Sequence, residues 1–185
     1  MTRRVISAAF AALLVNGAFA VTSYGATSED SIRREVRHAL ITLPYYGVFD
    51  NLDYRVNGSE VTLMGQVVNP VTPDDAANAV KQVPGVTKVI NKIELLPVSP
   101  MDWGIRRAVY RAIYGDPALQ RYAFQAVPSI HIIVKNGSVT LVGAVATQMD
   151  KEVAGVRANS VPGIFAVTNN LMLDSQIQNL GKGQL

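Results

Sequence analysis

Ile32, Val36, Leu40 and Leu43 recur at helical spacing, and Ile105, Val109 and Ile113 do so again farther along the chain. Each run predicts an amphipathic helix that buries one face. Between them, apolar and polar positions alternate. Leu52, Tyr54 and Val56 share one face of a predicted strand, and Val61, Leu63 and Val67 share one face of the next. Asn57-Gly58 lies between these strands and predicts a tight hairpin. Thr72-Pro73-Asp74-Asp75 then opens a second helix, with proline at its first position and acids in its first turn. Val83-Pro84-Gly85 ends that helix, and a third strand runs through Val89, Ile93 and Leu95. The predicted order is α-β-β-α-β.

The pattern is then repeated. Ile32-Arg33-Arg34-Glu35-Val36 is answered by Ile105-Arg106-Arg107-Ala108-Val109, and Val61-Thr62-Leu63-Met64-Gly65 by Val139-Thr140-Leu141-Val142-Gly143. Asn136-Gly137 supplies a second hairpin signal. Val83-Pro84-Gly85-Val86 with Val89 and Asn91 returns as Val161-Pro162-Gly163-Ile164 with Val167 and Asn169. The offset grows between the helix block and the later blocks, so the second copy carries about five extra residues after its first helix.

The αββαβ order, the Val-x-Leu-x-Gly strand and the Pro-Gly-Val/Ile turn followed by Val-x-Asn together resemble the BON domain, named for bacterial OsmY and nodulation proteins. The resemblance implies an α+β chain of two tandem αββαβ BON domains, each a three-stranded sheet with two helices on one face. It places the first domain at residues 29–97, a linker at 97–100 and the second domain at 101–175. It also implies a periplasmic or outer-membrane-associated protein of the transport-associated, osmotic-stress type. The resemblance links the chain to envelope integrity and phospholipid binding, in a family without known catalytic activity.

The N-terminus predicts export. Arg3 and Arg4 form a short basic region, Val5 to Val15 an apolar run broken by Ser7, and Ala18-Phe19-Ala20 presents small residues where a signal peptidase reads. Residues 1–20 are therefore expected to be a cleaved signal peptide, since the run is too short to span a bilayer. Cysteine is absent, which removes a lipid-attachment thiol, disulfides and thiol chemistry together. Of the 17 basic side chains two lie in the leader, which leaves a net charge of +1 against 14 acids. A charge so close to neutral argues against a general nucleic-acid binder. Residues 176–185 are polar and rich in Gln and Gly, and predict a disordered tail.

No catalytic constellation is legible, so the sequence predicts no enzyme, no cofactor, no metal and no small-molecule substrate. His38 and His131 are the only histidines, and neither has a ligand-spaced partner. Gly65 and Gly143, inside strands, are expected to lie against a packed helix. Asn91 and Asn169 are expected to tie a strand end to a loop backbone.

One surface stands apart. Trp103, Arg107, Tyr110 and Tyr114 form a helical stripe, which a helical wheel places opposite the Ile105, Val109 and Ile113 core face, with Arg106 and Arg111 beside it. The equivalents in the first copy are Asp30, Arg34, Arg37 and Ile41, so only the second copy has this aromatic and basic face. All six residues are expected outside. They suit an anionic phospholipid membrane, and equally an interdomain contact or an envelope protein partner, as in a chaperone-like or scaffold protein. A second expected seam is the outer face of the second hairpin, where Ile133 and Val142 replace Arg55 and Met64.

Overall fold

The computed structural model describes residues 28–125 and 127–177. The predicted signal peptide and residues 178–185 of the predicted tail lie outside them. Residues 174–177 form a helical turn, with the Leu173 N–H donating to Gln176 Oε1 at 2.9 Å.

The first copy runs α1 (Ser28–Ile41), β1 (Asn51–Asn57), β2 (Glu60–Val67), α2 (Thr72–Lys81), β3 (Lys88–Asn91) and β4 (Glu94–Leu95). The second runs α3 (Pro100–Tyr114), a 3-10 turn (Gln120–Tyr122), β5 (Ile130–Lys135), β6 (Ser138–Val145), α4 (Gln148–Asn159), β7 (Ala166–Asn169) and β8 (Met172–Leu173). The repeat is therefore a repeat of fold, α+β in both halves. Ile32, Val36 and Leu40 of α1 and Ala76, Ala77 and Val80 of α2 bury against Val56, Val61 and Leu63 of the first sheet. Ile105, Val109 and Ile113 with Ala154 and Ala158 do the same against Ile132, Val134, Val139 and Leu141. Each fully buried Val or Leu contributes about 1.5–3 kcal/mol, which makes these faces the main source of stability.

Three details differ from expectation. The third strand is split in each copy, although both pieces keep one register on the central strand. Glu60 lies opposite Lys88 and Gln66 opposite Glu94, and likewise Ser138 opposite Ala166 and Ala144 opposite Met172. The asparagines cause the break. Asn91 Oδ1 accepts from the Ile93 N–H at 3.1 Å while its Nδ2 donates to the Pro73 carbonyl at 2.8 Å. Asn169 makes the matching bonds to Leu171 and to the Lys151 carbonyl. Each amide thus turns the strand and pins it to the start of the second helix.

The first hairpin turns at Gly58-Ser59 rather than Asn57-Gly58, because Asn57 pairs with Glu60. Only Gly58 there has a positive φ, whereas Asn136 and Gly137 both do, as a type I′ turn requires.

Gly65 and Gly143 do not face a helix. Their φ values are +118° and +115°, and a Cβ at either would overlap a backbone carbonyl oxygen of the neighbouring segment, that of Asn51 or Ser129. The close approach is made by the paired strand.

Candidate binding surface

The second domain begins with Ser99 capping α3, its Oγ accepting from the Asp102 N–H at 3.2 Å, and with Pro100 as the first helical residue. Asp102 is fully buried, and its carboxylate accepts from the N–H groups of Asn136 and Gly137 at 3.0 and 2.8 Å. One acid thereby fastens the helix to the hairpin turn. Glu29 holds the matching place in the first copy, accepting more loosely from the Gly58 N–H at 3.4 Å.

Four of the six expected surface residues have side chains open to solvent. Trp103 is 46% exposed, Arg107 and Arg111 are exposed, and Tyr110 is half-buried. Arg107 and Arg111 lie one turn apart, and their side chains make no ion pair or hydrogen bond among the described residues. The other two are interior. Tyr114 is 6% exposed and its hydroxyl donates to the Ile130 carbonyl at 2.5 Å. Burial pushes that hydroxyl well above the usual tyrosine range. Arg106 is 3% exposed, donates to the Val134 carbonyl at 2.7 Å, and lies over the Trp103 ring at 5.4 Å. Burial lowers its guanidinium pKa, opposed by the charges of Asp102 and Asp50.

The helical wheel missed both for the same reason: it sees only the core beneath its own helix. Leu119 and Tyr122 of the long following loop share the buried core with Tyr114, and Gln120, Ala123 and Phe124 line, with Tyr110 and Arg111, an open hollow of about 510 Å³ beside it. Arg106 is covered by the first domain, where Val68 and Leu96 share a small cavity with it and Trp103.

The first domain reaches the second chiefly through the loop before β1. The Ile132 N–H donates to the Val48 carbonyl at 2.8 Å. Tyr46 stacks on His131, with ring centroids 5.4 Å apart, and His131 Nδ1 lies 3.2 Å from the Gly47 carbonyl oxygen. Phe49 meets Trp103 and Tyr110 edge-on at 5.6 and 6.2 Å. Asp50, 1% exposed, braces this loop by accepting from the N–H groups of Gly47 and Val68 at 2.9 and 2.8 Å. Lys135 pairs with Glu94 at 2.5 Å on the outer face of the second hairpin. That face is buried at His131 and Ile133, whereas Arg55, the counterpart of Ile133, is exposed. Both the stripe and the outer hairpin face therefore meet the first domain.

Among the described residues no helix is long and apolar enough to cross a membrane, and no group of three His, Asp or Glu side chains could hold a metal ion.

No curated protein matches the chain. Among solved structures it is similar to the C-terminal domain of CdsD, a structural protein of the type III secretion system of Chlamydia trachomatis. That likeness has 14% identity and a TM-score of 0.34, and covers 81% of this chain and 68% of that one. A second CdsD structure gives 14% identity and a TM-score of 0.28, covering 81% and 97%. Neither likeness is close enough to carry an argument. The sequence profile of the BON domain, by contrast, matches residues 28–97 and 104–174, nearly all of the two repeats. The chain belongs to the BON domain family, with two such domains in tandem.

Proposed function

We propose that the chain is a non-enzymatic periplasmic protein, delivered by its signal peptide, whose second domain docks reversibly on anionic phospholipid and so supports the envelope under osmotic stress. Membership of a family of binding domains associated with membranes and the envelope supports the class of function. The observation that carries the site is the pair Arg107 and Arg111, exposed and unpaired among the described residues, beside a half-exposed Trp103. Tryptophan and tyrosine favour the headgroup level of a bilayer, and basic side chains are drawn to anionic lipid by about 1 kcal/mol each. Phe124, 83% exposed and lining the same hollow as Tyr110 and Arg111, extends this face. Tyr114 and Arg106 act beneath it, holding α3 to β5 through the carbonyls of Ile130 and Val134.

Co-sedimentation of the full chain with phosphatidylglycerol and with phosphatidylcholine vesicles tests this assignment. Binding that needs the anionic lipid and weakens with salt is expected. No binding at low salt, together with suppressed aggregation of an exported polypeptide, would replace it with a role in holding proteins.

A further inference from the structure

The loop of residues 46–50 straddles the edge of β5. Successive residues of a strand face opposite sides, so His131 lies on the outer face of the second sheet while Ile130 and Ile132 face α3 and α4. Tyr46 stacks on His131, Val48 bonds the strand edge at Ile132, and Phe49 turns to the helix side to meet Trp103 and Tyr110. The loop thus closes over the strand from both faces. The aromatics it covers are two of those the docking surface uses.

We propose that this loop is an autoinhibitory clasp: in the closed arrangement Phe49 packs against the Trp103 and Tyr110 rings, and release of the loop exposes them to a phospholipid surface. The inference rests on the docking role proposed above. It follows from the competition between one phenylalanine and a bilayer for the same two rings. The second domain already packs Leu119 and Tyr122 of its own loop into its core. Val48 and Phe49, by contrast, pack against the core of the other domain. The clasp therefore spans the two domains and can open without removing those loop residues from the second core. Asp50 keeps the loop shaped when it is closed, through its bonds to Gly47 and Val68.

A site that is free in only a fraction of the molecules binds with its affinity reduced by that fraction. One aromatic edge contact is worth about 1 kcal/mol, which corresponds to about fivefold in affinity.

Trp103 is the single tryptophan of the chain, so its fluorescence reports both clasp opening and lipid contact. The test titrates the full-length mature protein with phosphatidylglycerol vesicles, comparing wild type, Phe49→Ala and Tyr46→Ala, with folding checked by circular dichroism. Tyr46→Ala loosens the opposite side of the clasp and leaves every residue of the stripe in place. Both variants are expected to shift Trp103 emission to the red without lipid and to bind vesicles at least about fivefold more tightly than wild type. Red-shifted emission with unchanged or weaker vesicle affinity would overturn the clasp while leaving the docking role intact. No binding by any of the three forms would remove the docking role, and the clasp with it.

Discussion

The Ile132 N–H donates to the carbonyl oxygen of Val48, which attaches the loop before β1 to the outer edge of β5 and carries Phe49 to Trp103 on one side and Tyr46 to His131 on the other. An edge strand with unpaired backbone groups invites such an addition, and here the first domain supplies it.

The contact makes the stripe a structural surface as well as a docking one. Trp103→Ala with Tyr110→Ala should lower stability by about 2–4 kcal/mol, from the lost area and the two edge contacts to Phe49. Arg34→Ala, on the exposed face of α1, should change it by less than about 0.5 kcal/mol. Thermal denaturation followed by circular dichroism checks both. An unchanged melting temperature for the double variant would mean that the seam does not form in solution.

Asp102→Asn should be among the most damaging single changes in the second domain. The carboxylate accepts two backbone N–H bonds with no exposure, and an amide must turn a donor toward one of them, which costs about 2–3 kcal/mol. The counterpart Glu29→Gln, on a longer and partly solvated bond, should produce a much smaller drop in the same chemical denaturation experiment. Equal losses would refute the buried clamp.

How far the sequence alone reaches can be seen residue by residue. Hydrophobic period and turn residues are local, so the helices, hairpins and repeat were legible, as were Asn91 and Asn169 as backbone ties. Trp103, Arg107 and Arg111 are exposed as the wheel expects. Arg106 and Tyr114 are not, because their covers come from Val68 and Leu96 of the other domain and from Leu119 and Tyr122 of a long loop. Neither cover has a period. A glycine inside a strand, as at Gly65, signals a close approach without telling whether a helix or the adjacent strand makes it. Phe49 carried no signal, since a single aromatic in a loop looks the same whether it faces solvent or another domain.

Acidification should weaken the seam through His131. Burial holds its imidazole below the usual value of 6.5, opposed by backbone bonds to Gly47 and Asp50. Tyr46 faces it from the other ring nitrogen, its own hydroxyl pushed up to about 12 by burial. Between the folded and unfolded values the unfolded chain binds more protons, so stability is full above 6.5 and declines as pH falls through that window. Asp50 acts with the opposite sign: burial raises its carboxyl above 3.8, against its N–H bonds and Arg106, so its contribution declines as pH rises toward the folded value. Comparing wild type with His131→Gln at about pH 7.5 and about pH 5.5 isolates the histidine. The wild type should lose stability relative to the variant on acidification; parallel curves would contradict this.

Gly143→Ala should cost about 3 kcal/mol or more, since the residue sits at φ +115° and its Cβ would overlap the Ser129 carbonyl oxygen. Gly104→Ala, inside α3 with nothing within 4 Å of the new carbon, should instead stabilise by about 0.5–1 kcal/mol. Urea titrations of the two variants read these opposite signs directly. A Gly143→Ala protein as stable as wild type would show that the strand contact relaxes freely.

The most direct test of the account removes charge from the docking face and nothing else. Arg107→Gln with Arg111→Gln leaves the aromatics, the seam and the side-chain bonds of the described residues in place, because neither side chain has a partner among them. Affinity of the full-length mature protein for phosphatidylglycerol vesicles should fall about 30-fold, the equivalent of about 1 kcal/mol for each arginine, with thermal stability unchanged. Vesicle affinity equal to that of the wild type in a folded double variant would contradict the assignment of this surface.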